Sequence, residues 1–377
     1  MRSSYIALAV PFFFVLIGLE VLVARARRRP VYRVGDAIGD LGCGMFQQVL
    51  LVFLAGASIA LYTWVYEHAR LITWSSPLTP WLVAIIGVDF LYYWWHRLSH
   101  EVNVLWAAHV VHHQSEDYNL AVALRQATLT SFTVQPFYAP LALLGVPPLI
   151  FGSALAISTL YQFWIHTELI GKLGWFEGWL NTPSHHRVHH AINPEYLDRN
   201  YGAILIVWDR LFGTFIREEA TPVYGIVKPF QSFNPIWAQL GPVVALAAAS
   251  ARAPRLQDKL WVWFASPAWT PEGVSPYPGV ADGSYVRRAK YDPGASPAMQ
   301  AYVVAQFGLA VAVTALVMFR QATAPRPALA TAAVLVVLTL GTSAGLLEGK
   351  AWARPVEALR LALVVGAVAA FAGGWVG

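Results

Sequence analysis

The chain has 377 residues, 57% of them hydrophobic and only 12% charged, with a mean hydropathy of +0.49. Soluble domains carry about 25% charged residues, so the composition excludes an ordinary soluble globule and indicates a polytopic membrane protein. The net charge of +5 and pI near 9.3 then reflect basic loops facing an anionic leaflet, and no nucleic-acid partner is expected.

Residues 5–24 form an apolar run of spanning length, followed at once by Arg25, Arg27, Arg28 and Arg29. A signal peptide carries its charges before the apolar core, so this reads as a span with a cytoplasmic C-terminal end, in which Pro11 and Glu20 are blemishes. Residues 43–66 give a second span, with Trp64 and Tyr66 suited to an interface. His68 lies beside that boundary and reads as an ordinary surface histidine. A turn at 71–80 leads into a third span, 81–98. Asp89 lies inside it, seven residues before His96 and on the same helical face, where it serves either function or helix packing. Residues 102–128 are more polar. Residues 131–165 are apolar again but broken by Pro136, Pro140 and the Gly145–Pro148 stretch, which predicts two shorter helices in a hairpin. Residues 167–297 read as a cytoplasmic cap, with 236–251 lying in the interface or spanning and 252–297 irregular. Apolar runs at 299–319, 327–347 and 356–376 close the chain as packing or anchoring spans. Arg287, Arg288, Lys290, Lys350 and Arg354 keep the basic loops mostly inside, while Arg320 and Arg326 fall on the opposite side. Cys43 is the one cysteine, which excludes an intrachain disulfide, cysteine-ligated iron–sulfur clusters and CxxCH haem attachment.

Ten of the 11 histidines fall between His96 and His190. They form HRLSH (96–100), HVVHH (109–113), a single His166, and HHRVHH (185–190). Residues three and four apart share a helix face. His96 with His100, His109 with His112 and His113, and His186 with His189 and His190 therefore each offer two or three imidazoles to one point. Neutral imidazole ligates Fe, Zn, Cu or Ni. One ion accepts at most about six ligands, so the number of histidines predicts two ions. Carboxylates that could add to the site or orient imidazole N–H groups are Glu101, Glu116, Asp117, Glu168, Asp198 and Asp209, with Asn119 and Asn200 as neutral counterparts.

A hydrolytic site uses three or four protein ligands. So many histidines at a bilayer suggest instead two redox irons that use O2 to attack an unactivated C–H bond of a lipid. The chain has no GxGxxG loop, cysteine cluster or haem motif, so the electrons must come from a separate donor. The competing non-enzymatic reading is a membrane metal carrier or sensor. A carrier places ionisable residues at mid-bilayer, and here only Asp89 is clearly deep.

The segments HRLSHE, LWAAHVVHHQSEDYNLAVALRQ, QFWIHTELIGKLG, NTPSHHRVHHAINPEYLDRNYGAILIVWDRLFGTF and YGIVKPFQSFNPIW resemble the fatty acid hydroxylase/sterol desaturase superfamily. Within it they are most similar to the alkylglycerol monooxygenase branch and its bacterial relatives, over about residues 35–290. The resemblance implies an all-α, integral membrane, di-iron, O2-dependent enzyme. It implies metal ligands at His96, His100, His109, His112, His113, His186, His189 and His190. His166 matches a further family histidine, and Glu101 matches an acidic residue after the first box, implying a catalytic role. His185 precedes the third box. Some relatives carry another histidine where this chain has Ile170. The animal branch uses tetrahydrobiopterin, which makes it a candidate external reductant.

The expected organisation is N-terminal spans in 1–78, a di-iron catalytic domain in 79–297 and C-terminal spans in 298–377. The expected reaction is hydroxylation of a lipid, first beside the ether oxygen of an alkylglycerol, then at another lipid or sterol carbon, then desaturation. The Ala/Arg-rich composition favours a bacterial inner membrane over the endoplasmic reticulum, with the site on the cytoplasmic side.

Overall fold

A computed structural model describes residues 5–272 and 283–372. Residues 273–282 of the expected irregular segment and 373–376 of the last expected run lie outside the described residues. The described chain is helical, without a strand. Two isolated bridges, Leu180–Leu205 and Ala191–Tyr224, tie loops together.

Four helices are long and apolar enough to cross a bilayer: α1 (Tyr5–Ala26), α2 (Val34–Ala69), α12 (Pro297–Arg320) and α13 (Arg326–Leu347). The protein is a multi-pass membrane protein. Between them in sequence come α3 (Thr79–Glu101), α4 (Asn103–His113), α5 (Thr130–Thr133), α6 (Gln135–Leu143), α7 (Pro148–Trp164), α8 (Pro183–His189), α9 (Val207–Phe212), α10 (Pro235–Arg252) and α11 (Leu256–Trp261). The last helix is α14 (Ala353–Ala372).

The second helix differs from expectation. Its 36 residues reach about 54 Å at 1.5 Å per residue, well beyond a bilayer core of about 30 Å. It starts at Val34, nine residues before the expected span, because VGDAIGDLG is helical in spite of its glycines and aspartates. The glycines serve close packing. A Cβ on Gly44 would sit 2.3 Å from the Leu124 carbonyl oxygen, so only glycine lets α2 approach the segment that follows the second histidine box.

The expected third span forms α3 but falls outside the set of four. Asp89 and a run of Tyr and Trp lower its hydropathy, and it packs inside the bundle with Ala84, Val88, Tyr93 and Trp95 buried. The 131–165 hairpin forms α6 and α7, turning at Gly145, whose φ of 76° is open to glycine without strain. Tyr62, Trp95, Tyr138 and Phe151 make the core shared by α2, α3, α6 and α7. A second core joins α2 to α12 and α13. Asn234 caps α10 by accepting from the N–H groups of Ile236 and Trp237. α10 turns Ala238 and Leu246 inward and leaves Trp237, Leu240 and Val244 exposed, as suits a helix at the membrane interface.

The first two histidine boxes are placed by one tight connection. Val102 alone separates α3 from α4, so HRLSH and HVVHH fold back to back. The turn is held from outside: Asn103 and Val104 donate their N–H groups to the carbonyls of Ala265 and Trp263.

Candidate metal centre

The histidines form two groups, in each of which one nitrogen per residue lies within 4.8 Å of every other. One group is His96, His100, His109, His113 and His189. The other is His112, His166, His186 and His190. All nine are buried.

The division cuts across the sequence blocks. A block was expected to converge on a single point, but His109 and His113 serve one group while His112 serves the other. Likewise His186 and His190 stay together while His189 crosses over. Helix geometry explains this. Residues i and i+4 lie about 40° apart around the axis, whereas neighbours lie about 100° apart. Each HxxHH box therefore straddles both groups, and they adjoin: the rings of His113 and His190 are 4.4 Å apart, those of His186 and His189 5.2 Å.

Backbone carbonyls set the tautomers. His96 Nδ1 bonds the Tyr201 carbonyl at 2.7 Å, His112 Nδ1 that of Arg125 at 2.9 Å, His166 Nδ1 that of Gln162 at 2.7 Å and His189 Nδ1 that of Arg199 at 2.9 Å. A carbonyl only accepts, so each Nδ1 carries the proton and each Nε2 presents a bare lone pair. His112 Nε2 and His166 Nε2 face one another at 3.1 Å. Two bare nitrogens at that distance repel unless a cation lies between them. The buried Nε2 atoms of His100, His189 and His190 have no partner among the described residues. Burial also keeps the rings neutral. It pushes His112 down to about 4 and holds His113, His186, His189 and His190 well below the usual histidine range, with neighbouring imidazoles adding to the effect in the last four. Neutral rings with fixed, inward lone pairs are what a metal requires. The donor set fits two ions of nitrogen-loving character.

The carbonyls are themselves held. Arg125 is buried. Its guanidinium donates to the Val111 carbonyl at 2.6 Å, to Gln114 at 2.7 Å and to Asp40 of α2 at 3.0 Å. Asp198 and Asn200 both adopt left-handed φ angles of 58°. The Asn200 side chain pins that turn through the carbonyls of His185 and Ile216 and the Ile216 N–H, which aims the Arg199 carbonyl at His189. Asp209 receives the N–H groups of Tyr201 and Gly202, each at 2.8 Å. Arg125 and Asp40 were not singled out from the sequence.

The acidic candidates stand outside both groups. Glu101 is exposed and accepts from Arg97 Nε at 2.8 Å. Glu116 accepts the Tyr291 N–H at 2.6 Å, and Asp117 accepts from Arg33 at 3.1 Å and from Lys290 at 2.6 Å. Asn119 donates to the Val31 carbonyl at 2.7 Å. Asp89 binds the N–H groups of Ile204 and Leu205 and the Trp208 indole, which ties α3 to the segment carrying Tyr201. His185 belongs to neither group and rests edge-on against Phe215, with centroids 5.3 Å apart. Glu20 is no blemish: buried in α1, it accepts from Tyr32, Thr167 and, at 2.8 Å, the Leu120 N–H, and so clamps the stretches flanking the second box and His166.

A cavity of about 460 Å³ runs from the histidines between α1, α2, α7 and α12. Its inner end includes His109 from one group and His112 and His166 from the other. Among the described residues its wall carries no Asp, Glu, Lys or Arg side chain. α12 contributes Val311, Thr314 and Met318, so this C-terminal helix does more than pack or anchor.

Residues 81–214 match the fatty acid hydroxylase family model. Alkylglycerol monooxygenase of Homo sapiens is 38% identical over 369 residues, covering 95% of this chain and 81% of that protein. The chain belongs to the alkylglycerol monooxygenase family. Alkylglycerol monooxygenase of Xenopus tropicalis is 39% identical over 320 residues, 82% of this chain and 70% of that protein. Ornithine lipid hydroxylase OlsE of Rhizobium tropici is a more distant relative of this family member, 30% identical over 135 residues, 36% of this chain and 41% of that protein. No solved structure matches. Family membership makes the protein a lipid-hydroxylating oxidoreductase, and its histidine cluster could hold metal ions.

Proposed function

We propose that the protein is a di-iron monooxygenase that hydroxylates the alkyl carbon beside the ether oxygen of an alkylglycerol. The observation that carries this is the meeting of both histidine groups at the end of one uncharged, largely apolar cavity. A lipid chain in that cavity has a C–H bond to present to both groups at once. The names of the long relatives supply the substrate class.

His96, His100, His109, His113 and His189 would hold one ion and His112, His166, His186 and His190 the other. When bound, such a pair of irons supplies reduction of O2 and oxidation of the C–H bond. One oxygen atom enters that bond and the other leaves as water, with two electrons and two protons from a separate donor, for which tetrahydrobiopterin is the candidate. The hydroxylated ether is a hemiacetal and collapses to an aldehyde and glycerol. The apolar wall excludes bulk water from the reacting carbon. Glu101 acts through other groups: its carboxylate fixes Arg97, Arg97 reaches Tyr93, and Tyr93 meets Thr214, which bonds the Asp209 carboxylate that receives the Tyr201 N–H. The Tyr201 carbonyl then orients His96.

The catalytic segment is 79–297, held between the N-terminal spans in 1–78 and the C-terminal spans in 298–377. The arginines after α1 favour the cytoplasmic face for the histidines, in a bacterial inner membrane.

The test is purification in detergent, metal analysis and incubation with a 1-O-alkylglycerol, O2 and tetrahydropterin. Two irons per chain and release of the fatty aldehyde are expected. Exchangeable zinc with no O2 consumption would support the metal carrier instead. O2-dependent oxidation of a sterol or fatty acid, with the ether untouched, would move the protein to another branch of substrate chemistry.

A further inference from the structure

Three polar atoms along the cavity are buried and have no partner among the described residues: Trp95 Nε1, Gln135 Oε1 and the Tyr138 hydroxyl. All three side chains line the cavity and are 2%, 9% and 0% exposed. Several other polar residues on the same wall are satisfied. Gln47 donates to the Ala127 carbonyl, Gln126 to that of Ala123, Thr130 to that of Ala108 and Thr314 to that of Ala310. The buried unanswered groups of the lining lie on α3 and α6, on the side where the Trp95 ring packs against His96 and His109, with centroids 6.0 and 5.4 Å away.

A buried polar group without a partner costs its full desolvation energy. Phe or Leu at these places would fill the same space without that cost. An indole N–H only donates, an amide oxygen only accepts and a phenol does both. That inventory matches an ether oxygen, which only accepts, beside hydroxyls, which do both. A carboxylate or phosphate would enter a wall with no cation to meet it. A plain hydrocarbon would leave all three groups unanswered.

We propose that Trp95, Gln135 and Tyr138 form an oxygen-recognising subsite, which binds the ether and hydroxyl oxygens of a neutral lipid headgroup and fixes which carbon lies opposite the histidines. The idea rests on the lipid-oxygenase reading for its consequence, but its binding prediction stands apart from turnover. These are positioning residues. They discriminate by leaving buried groups unpaired when the wrong ligand enters, which is a stronger filter than shape alone.

The test uses the full-length holoenzyme in detergent, kept free of O2 so that no oxidation intervenes. A 1-O-alkylglycerol and the n-alkane of equal chain length compete against a fluorescent alkyl probe. Tyr138→Phe and Gln135→Leu keep the side-chain volume and remove the polar atoms. Each is expected to weaken alkylglycerol binding about tenfold and to leave alkane binding and iron content unchanged. Unchanged alkylglycerol binding, or an equal loss for both ligands, overturns the subsite. A wild-type protein that prefers the alkylglycerol but never oxidises it would overturn the proposed reaction and leave the subsite standing. Rapid oxidation of the alkylglycerol with indifferent variants would do the reverse.

Discussion

The two histidine groups are built differently. The five-histidine group draws His96 and His100 from α3, His109 and His113 from α4, and only His189 from farther along the chain. The four-histidine group takes one histidine from α4, two from the third box and His166 from the end of α7. The first is therefore mostly a property of one helical hairpin. The second exists only when α4, α7 and the cap have closed on one another. A site assembled from local repeats tolerates the loss of a donor better than one assembled from distant pieces.

The sharpest way to break this contrast is to remove one donor from each group. His166→Ala is expected to abolish lipid oxidation, with a loss of 100-fold or more, and to take bound iron from two per chain towards one. His100→Ala leaves four donors in its group and is expected to keep most of its metal, with a loss of about tenfold. Iron content and turnover measured on both decide it. Equal loss of metal would mean that the groups do not behave separately.

Next in size is Asp40→Asn. It leaves the Arg125 guanidinium buried without its counter-charge, which costs about 3–5 kcal/mol. Because the Arg125 carbonyl holds His112, the four-histidine group should lose metal first, read by denaturant unfolding alongside metal titration.

Acid should unfold the metal-free protein. Burial lowers the folded-state value of His112 from 6.5 to about 4, so between those values the unfolded chain binds more protons than the folded one. Stability from this group is complete above about 6.5 and is lost as pH falls towards about 4, by about 3 kcal/mol for His112 alone. Iron should raise stability and leave the slope in this window unchanged, but carry the dependence on below about 4, because a ligated imidazole resists protonation in the folded state. Thermal unfolding against pH, with and without metal, checks both statements.

The smallest expected effect is that of Glu101→Gln, which weakens the grip on Arg97 without emptying either group. A loss of about tenfold in turnover, with iron content retained, fits an indirect role. A complete loss with the metal in place would show that the carboxylate takes part in the reaction itself.

Much of the centre was legible in advance because its signal is local. Three boxes with i,i+3 and i,i+4 spacing needed only the period of a helix. Glu20, Asp40 and Arg125 were not legible, since each takes its meaning from a partner between 75 and 147 residues away. The start of α2 was missed because glycine and aspartate weaken a helix when read alone. Here they face neighbours that need the space or the charge, as Gly39 does for the Phe233 backbone and Asp40 for Arg125.

The sequence by itself determined the membrane character, the helical fold and which nitrogen atoms are available, because hydropathy and helix period are properties of neighbouring residues. Only the tertiary structure decided how those nitrogens divide, which lone pairs face inward and where the apolar cavity meets them. Those outcomes depend on how helices distant in the chain are rotated and packed, and no spacing along the chain records that rotation.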